Sequence, residues 1–510
     1  MTDATEQVPS PAQVALSRAA LVVALLVFAF GIVRLGAYAA IAFRYPYAFD
    51  YGEGVVWQQM RNIVAGQGYA PLGIYPAVAY EYPPLFHVAS ATIARVLGMD
   101  ELYAGRLVSL VSTIASAALV GLLTARAVPG PDRRAAAGAA LFSALAFASL
   151  PLLDTWALVM RIDMLACALT LAAMLLAARA SRSMASAVGA GILFAAALYT
   201  RQTALPAPAA AFAVLLIARP RAAWTMAAAV AISGLAALAW LEVSTQGGFL
   251  IHILLYNLNR IIWDHAAALL LVLLASIVLL ALAAIGGAQA LRWLDLRDRR
   301  GLRARLRQQP SLVATAIILL TLLFKTLMLP AVLKSGASDN YLIDWFTQLC
   351  MLAGIAVIPL IHAARRQPGH PSIVLIALVA VGLPVQALSA GGLPDAAAAD
   401  RQARDLDLIV ARIAASPRPV ISDDAALLIR AGRSMQWEPA IVAELGSAGR
   451  YDEAAFVAMI RRHDFGFFVT EGDSGDLLFD QRFNPAVADA IHRAYPRRER
   501  IGGRILHLAD

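Results

Sequence analysis

The feature that most constrains this chain is a succession of apolar stretches, most of them long enough to cross a hydrocarbon core, which takes about 20 residues of helix. They fall near 19–43, 104–125, 135–153, 163–179, 184–200, 204–218, 222–241, 266–290, 311–330, 341–362 and 371–390. In lipid, backbone of this kind is satisfied by helices. The expected fold class is therefore mainly α, a polytopic transmembrane helix bundle of about eleven spans. The 510 residues are 60% hydrophobic and 15% charged, against about 25% charged in ordinary globular proteins. A soluble multidomain reading fails on those figures. Residues 1–17 are polar, and the apolar run that Arg18 opens continues to about Phe43. That run is too long for the apolar core of a cleaved signal, so it reads as the first span.

The net charge of +8 does not point to nucleic acid, because the Arg residues sit between the spans, as they do in cytoplasmic loops. The clusters are Arg126, Arg133 and Arg134; Arg179 and Arg182; Arg219 and Arg221; seven Arg between 292 and 307; and Arg365 with Arg366. Counting spans in order puts every cluster on the side of the N-terminus. This gives a cytoplasmic tail (1–18), a transmembrane domain (19–392) with a first outer loop (44–103), and an extracytoplasmic C-terminal domain (393–510). The last region is charged and mixes helical stretches with β-like runs such as Phe467-Phe468-Val469 and Ile505-Leu506-His507-Leu508, so a small α/β domain is expected. Its Asp423 and Asp424 read as a solvated turn or helix cap. Cys167 and Cys350 lie inside apolar stretches and read as small apolar filler rather than a disulfide or metal site.

Polar groups gather on the outer face. Phe49-Asp50-Tyr51-Gly52-Glu53-Gly54 places two carboxylates three residues apart beyond span one. An amphipathic stretch from Val55 to Ala65 follows, with Trp57 and Met60 suited to the membrane interface. Then come Tyr80-Glu81-Tyr82-Pro83-Pro84-Leu85 and a second apolar piece, 85–98, too short to span. A carboxylate here has the chemistry of a general base toward an acceptor hydroxyl, and a pair such as Asp50 and Glu81 could hold a divalent cation against a phosphate. The plainer reading is a solvated loop with helix caps. On the same face emerge Arg161-Ile162-Asp163 after Asp154, Arg201-Gln202-Thr203, and Lys334 to Asp344. Ionisable groups near the membrane centre cost about 2.5–3.5 kcal/mol on insertion scales, so they face cavities or partners. Basic groups at an outer cavity suit a phosphate. Arg34 and Lys325, inside spans, read as snorkelling, bundle-facing or ion-paired residues.

At these residues the sequence resembles the GT-C class of polytopic glycosyltransferases, which includes protein O-mannosyltransferases, the lipid A aminoarabinose transferase and the group of rhizobial lipopolysaccharide sugar transferases. Asp50 matches the acidic motif after the first span, and Glu81-Tyr82-Pro83-Pro84-Leu85 matches a Glu-x-Pro-Pro-Leu segment. The aminoarabinose transferase has Lys where Tyr82 stands here. The segments at Arg161, Arg201 and Asn340-Tyr341 resemble recurrent motifs of the bacterial branch. The resemblance implies an inverting transferase of the bacterial inner membrane, moving a sugar from a polyprenyl-phosphate donor to a glycan, lipid or protein acceptor on the periplasmic side. It implies Asp50 as base, with Glu53 and Glu81 orienting acceptor or metal. The implied donor-phosphate set is Arg161, Asp163, Arg201, Gln202, Lys334, Asn340 and Tyr341, with the C-terminal region covering the site or choosing the acceptor. The alternative is a secondary transporter or lipid flippase, which predicts inverted repeats and broken helices. A non-enzymatic scaffold gives no reason for acids clustered on one loop.

Overall fold

The computed structural model describes residues 8–257 and 259–510. Its first ten helices are α1 (Pro11–Ala42), α2 (Tyr51–Val64), α3 (Leu85–Leu97), α4 (Glu101–Ala127), α5 (Arg133–Ala148), α6 (Leu153–Trp156), α7 (Asp163–Ala180), α8 (Met184–Leu198), α9 (Pro206–Ala218) and α10 (Pro220–Ser244). All eleven expected spans are helical. Among the described residues, seven helices are long and apolar enough to cross a membrane: α1, α4, α7, α10, Ile277–Leu294, Pro310–Leu333 and Asp339–Ala364. The other expected spans are shorter. At 1.5 Å per residue the 13 residues of α9 reach about 20 Å, against a core of about 30 Å. Pro206 and Pro220 start new helices, because proline fits the first turn and breaks an interior one. The polar Arg201-Gln202-Thr203 segment between α8 and α9 is left as irregular backbone.

Two boundaries need correcting. Residues 11–18 of the expected N-terminal tail already belong to α1, opened by a Ser10–Gln13 capping box; residues 1–7 lie outside the described residues. The expected span 266–290 is two helices, His265–Ala275 and Ile277–Leu294, separated at Ser276. The Gln386 side-chain oxygen accepts from the Val278 and Leu279 N–H groups there, supplying partners for the new helix start.

The bundle packs through small residues, as membrane helices do when backbones approach closely. Ala173 and Ala177 of α7 and Ala187 and Ala190 of α8 are fully buried. The Arg-rich loops gather at one end: Arg219 donates to the Ser181 carbonyl, Arg307 to Ala218, Arg365 to Asp132 and Arg18 to Ala364. Within the bundle, Lys325 pairs with Asp344 at 2.5 Å and Arg34 with Asp154 at 2.7 Å, so neither cation is left unpaired near lipid.

The C-terminal region carries a four-stranded sheet, β1 (Ile421–Ser422), β2 (Phe467–Thr470), β3 (Arg497–Ile501) and β4 (Arg504–Leu508), in the order β1-β2-β4-β3. β1 and β2 are parallel and the other pairs antiparallel. Both β-like runs seen in the sequence are strands, paired to each other. Alternation places Phe467, Val469 and Leu506 against helix Ala396–Ala415, and Phe468 against helices Glu453–Arg461 and Pro485–Ala494.

This region is welded to the first outer loop rather than standing apart. Tyr45, Tyr47, Tyr69 and Tyr80 share one core with Leu406, Leu427 and Val469, and Ala77 forms a β-bridge with Trp437. Trp57 and Met60, expected at the membrane interface, are instead buried with Ala426 and Ile429. Gly54 permits this approach: a Cβ there would come 2.8 Å from the Ala426 nitrogen. Asp424 caps helix Ala425–Arg430 as expected, but neither it nor Asp423 is solvated. Arg482 and Arg504 pair with the two carboxylates.

Candidate active site

Opposite the Arg-rich end, a cavity of about 520 Å³ lies between the bundle, the first outer loop and the C-terminal region. Asp50 forms one wall. It sits in extended backbone as the N-cap of α2, and its carboxylate accepts from the Gly52 N–H at 3.0 Å. The same oxygen lies 3.3 Å from Arg161 Nη1. Gly52 makes room for that guanidinium, since a Cβ would fall 1.3 Å from Nη1. Withdrawal from bulk water pushes the Asp50 carboxyl above its ordinary range, with Arg161 acting against the rise.

Arg161 follows α6, on the segment that leads into α7. It donates to the Tyr82 hydroxyl at 3.3 Å, and its guanidinium lies 5.6 Å from the Tyr82 ring centre and 5.7 Å from that of Trp156. Tyr82 thus stands on the cavity wall beside Arg161. Arg201, just beyond α8, is held at 3.0 Å by Asp163 and stacks 4.6 Å over the Tyr341 ring. Asn340 donates to the same Asp163 oxygen at 2.9 Å. Gln202 donates to the Glu81 carbonyl at 2.7 Å, and the Glu81 carboxylate takes the Gln59 amide at 2.8 Å. Burial pushes Glu81 upward too.

The structure therefore brings Asp50, Glu81, Arg161, Arg201, Gln202, Lys334 and Tyr341 to one cavity. Asp163 and Asn340 stand behind it, orienting the arginines rather than lining the space. Glu53 goes elsewhere, which corrects its expected place beside the acceptor. It is fully buried under α2, bound by Arg106 at 2.8 and 3.0 Å and by the Phe49 and Met160 N–H groups. As for a cation between Asp50 and Glu81, the positive charge facing Asp50 comes from Arg161, and one oxygen of each carboxylate is already engaged.

The C-terminal region brings charged groups to the wall that lie outside the sequence motifs: Glu438, Glu444 and Arg482. Tyr51 donates to Glu438, and Arg482 lies 4.2 Å over the Tyr51 ring. Burial, reinforced by the nearby Glu81 carboxylate, pushes Glu438 up to about 8; burial lifts Glu444 to about 7. Chemically, the cavity offers a carboxylate with raised basicity next to two guanidinium groups suited to a phosphate.

ArnT from Cupriavidus metallidurans in the apo state superposes on this architecture with a TM-score of 0.60, covering 94% of this chain and 97% of ArnT at 15% sequence identity. The chain shares the ArnT fold. The form of ArnT solved bound to undecaprenyl phosphate gives a TM-score of 0.56 with the same coverage and identity. ArnT, the lipid A aminoarabinose transferase, is a GT-C glycosyltransferase, so the resemblance carried by the sequence motifs holds at the level of fold. No protein-family model matches the sequence, and no curated protein does.

Proposed function

We propose that this chain is a membrane glycosyltransferase that takes a sugar from a polyprenyl-phosphate donor and passes it to a glycan, lipid or protein acceptor. The observation that carries this reading is that Asp50, Arg161 and Arg201 face one cavity. The shared fold with ArnT, solved with undecaprenyl phosphate, supports it. In this reading the donor phosphate meets Arg161 and Arg201, with Lys334 from the opposite loop. Drawing Arg161 toward the phosphate loosens its hold on Asp50 and leaves that carboxylate more basic. Asp50 then takes the acceptor proton as the acceptor oxygen or nitrogen bonds to the anomeric carbon. The bond from that carbon to the phosphate breaks, polyprenyl phosphate leaves, and the guanidinium groups stabilise its developing charge. Attack opposite the leaving group inverts the anomeric centre.

The cavity would face the periplasm, with the Arg-rich loops in the cytoplasm of a bacterial inner membrane. Glu438, Glu444 and Arg482, brought by the C-terminal region, are placed to select the acceptor. The test is transfer of labelled sugar from a polyprenyl-phosphate donor by the purified protein, paired with mass spectrometry of envelope glycans and lipids from cells lacking it. Loss of a single-sugar increment is expected; an unchanged profile together with no transfer would remove the assignment.

A further inference from the structure

Away from the cavity, three side chains of the C-terminal region converge: Asp473 in the turn after β2, His492 on helix Pro485–Ala494, and His507 on β4. One ligand atom from each lies within 4.8 Å of the other two. We propose that these residues form a binding site for a divalent transition metal of the zinc class.

The hydrogen bonds of His507 define its tautomer. Thr470 Oγ1 spends its proton on the Gly472 carbonyl, at 2.8 Å, and lies 2.9 Å from His507 Nε2. Nε2 must therefore carry the hydrogen and donate it to Thr470. That leaves Nδ1 with a bare lone pair. His507 is fully buried, and its Nδ1 has no hydrogen-bond partner among the described residues. A buried acceptor with nothing to accept is costly unless something occupies it. A neutral imidazole whose other nitrogen donates to a fixed oxygen is the arrangement a metal ligand needs.

The other two donors complement it. The His492 ring stacks beside that of His507, with centres 5.8 Å apart. His492 Nε2 lies 2.8 Å from Asp473 Oδ1. Asp473 is fixed from its other oxygen by Arg498 at 2.6 Å, and its Oδ1 also accepts the Ser474 N–H at 2.9 Å. Zinc binds imidazole and carboxylate at about 2.0–2.2 Å, which sets neighbouring donor atoms roughly 3.3 Å apart. The distances in the structure, 2.8 Å between His492 Nε2 and Asp473 Oδ1 and at most 4.8 Å between the others, bracket that spacing. A metal on His492 Nε2 would take the place of any hydrogen shared with Asp473, and the ring hydrogen would sit on Nδ1, 3.5 Å from Ser474 Oγ. Two nitrogens and one oxygen leave a fourth position for water, and a set without thiolate suits zinc over softer-metal chemistry.

The site ties the turn after β2 to β4 and to helix Pro485–Ala494. Phe479 stacks on His492, its ring 10° from parallel, and belongs to helix Leu477–Arg482, which supplies Leu478, Gln481 and Arg482 to the cavity wall. A bound metal would stiffen that wall from behind.

The experiment uses the full-length protein purified in detergent, stripped with chelator and titrated with Zn²⁺ alone. Expected are one zinc per chain by elemental analysis, a higher unfolding temperature with zinc, and a visible absorption band of a four-coordinate site when Co²⁺ replaces zinc. His492→Ala and His507→Gln, checked for fold by circular dichroism in chelator, should lose stoichiometric binding and the Co²⁺ band. Thr470→Val removes the oxygen that fixes the tautomer and should weaken binding about 10–100-fold. Absence of binding to the wild type, or undiminished stoichiometry in both histidine variants, would overturn the site.

Discussion

Glu53 and Arg106 meet in a doubly hydrogen-bonded ion pair, with neither side chain reaching solvent. Arg106 also donates to the Ala42, Tyr45 and Tyr47 carbonyls, so the pair ties α4 to the end of α1 and to the start of the outer loop. Removing one partner strands the other charge. Glu53→Ala should therefore cost about 3–5 kcal/mol of stability, read as poor expression and a lower unfolding temperature. The folded fraction should keep its donor KM. A Glu53→Gln variant of wild-type stability with no turnover would return Glu53 to the chemistry.

Asp50 behaves in the opposite way if it is the base. Asp50→Asn keeps a side chain that can cap α2 but cannot accept a proton at physiological pH. Turnover should fall about 10²–10⁴-fold with the unfolding temperature near wild type. Full activity in the Asn variant would leave the cavity without its base.

Arg201 is shared between Asp163 and the cavity. Arg201→Ala should weaken use of the lipid donor by about 1.5–3 kcal/mol, the worth of hydrogen bonds to a charged group. Arg201→Lys should recover part of this, because an ammonium cannot bind phosphate in the two-point fashion of a guanidinium. Steady-state kinetics with varied donor tests it, and wild-type constants in the alanine variant would take Arg201 out of the site.

Stability should depend on pH through the C-terminal wall. Glu438 and Glu444 have folded pKa values raised to about 8 and about 7, above the ordinary unfolded value for glutamate. The folded state therefore holds protons that the unfolded state releases, and stability falls as pH rises from about 4.5 to 8. Thermal unfolding across that range should show the decline, and Glu438→Gln should flatten it. A slope identical in the variant would mean that Glu438 is already ionised when folded.

Orientation is open to direct labelling. The cysteines of the chain, Cys167 and Cys350, are both buried, whereas Ser474 is exposed. Ser474→Cys should react with a membrane-impermeant thiol reagent in intact spheroplasts. Labelling only after lysis would place the C-terminal region, and with it the cavity, on the cytoplasmic face.

The bundle was legible because apolar length and Arg asymmetry are local signals. Each span announces itself, and the Arg loops do meet at one end. The break at Ser276 was not legible, since the group that receives the new helix start, Gln386, lies more than a hundred residues away. The cavity was legible where charge interrupts apolar sequence, as at Asp50, Arg161 and Arg201. Glu53 looked equivalent to Asp50 because spacing shows two acids on one turn but not that Arg106 awaits one of them. Glu438, Glu444 and Arg482 carried no signal beyond being ordinary charges in a polar region. Their role depends on how that region folds back over α2. Trp57 turns inward for the same reason: an aromatic suited to lipid headgroups packs equally well against Ala426 and Ile429.

That folding back has a consequence for how the molecule is made. Ala77 is joined to Trp437, and Tyr47 bonds to Asp407 at 2.5 Å, so a segment made early is completed by one made near the end. At about 5–20 residues per second, roughly 20–70 s of synthesis separates Ala77 from Trp437. During that time the helices can enter the bilayer one by one, while the loop bearing Asp50 waits with its aromatic surface uncovered. A ribosome that stalls before the last strand would leave an inserted bundle with an unfinished cavity.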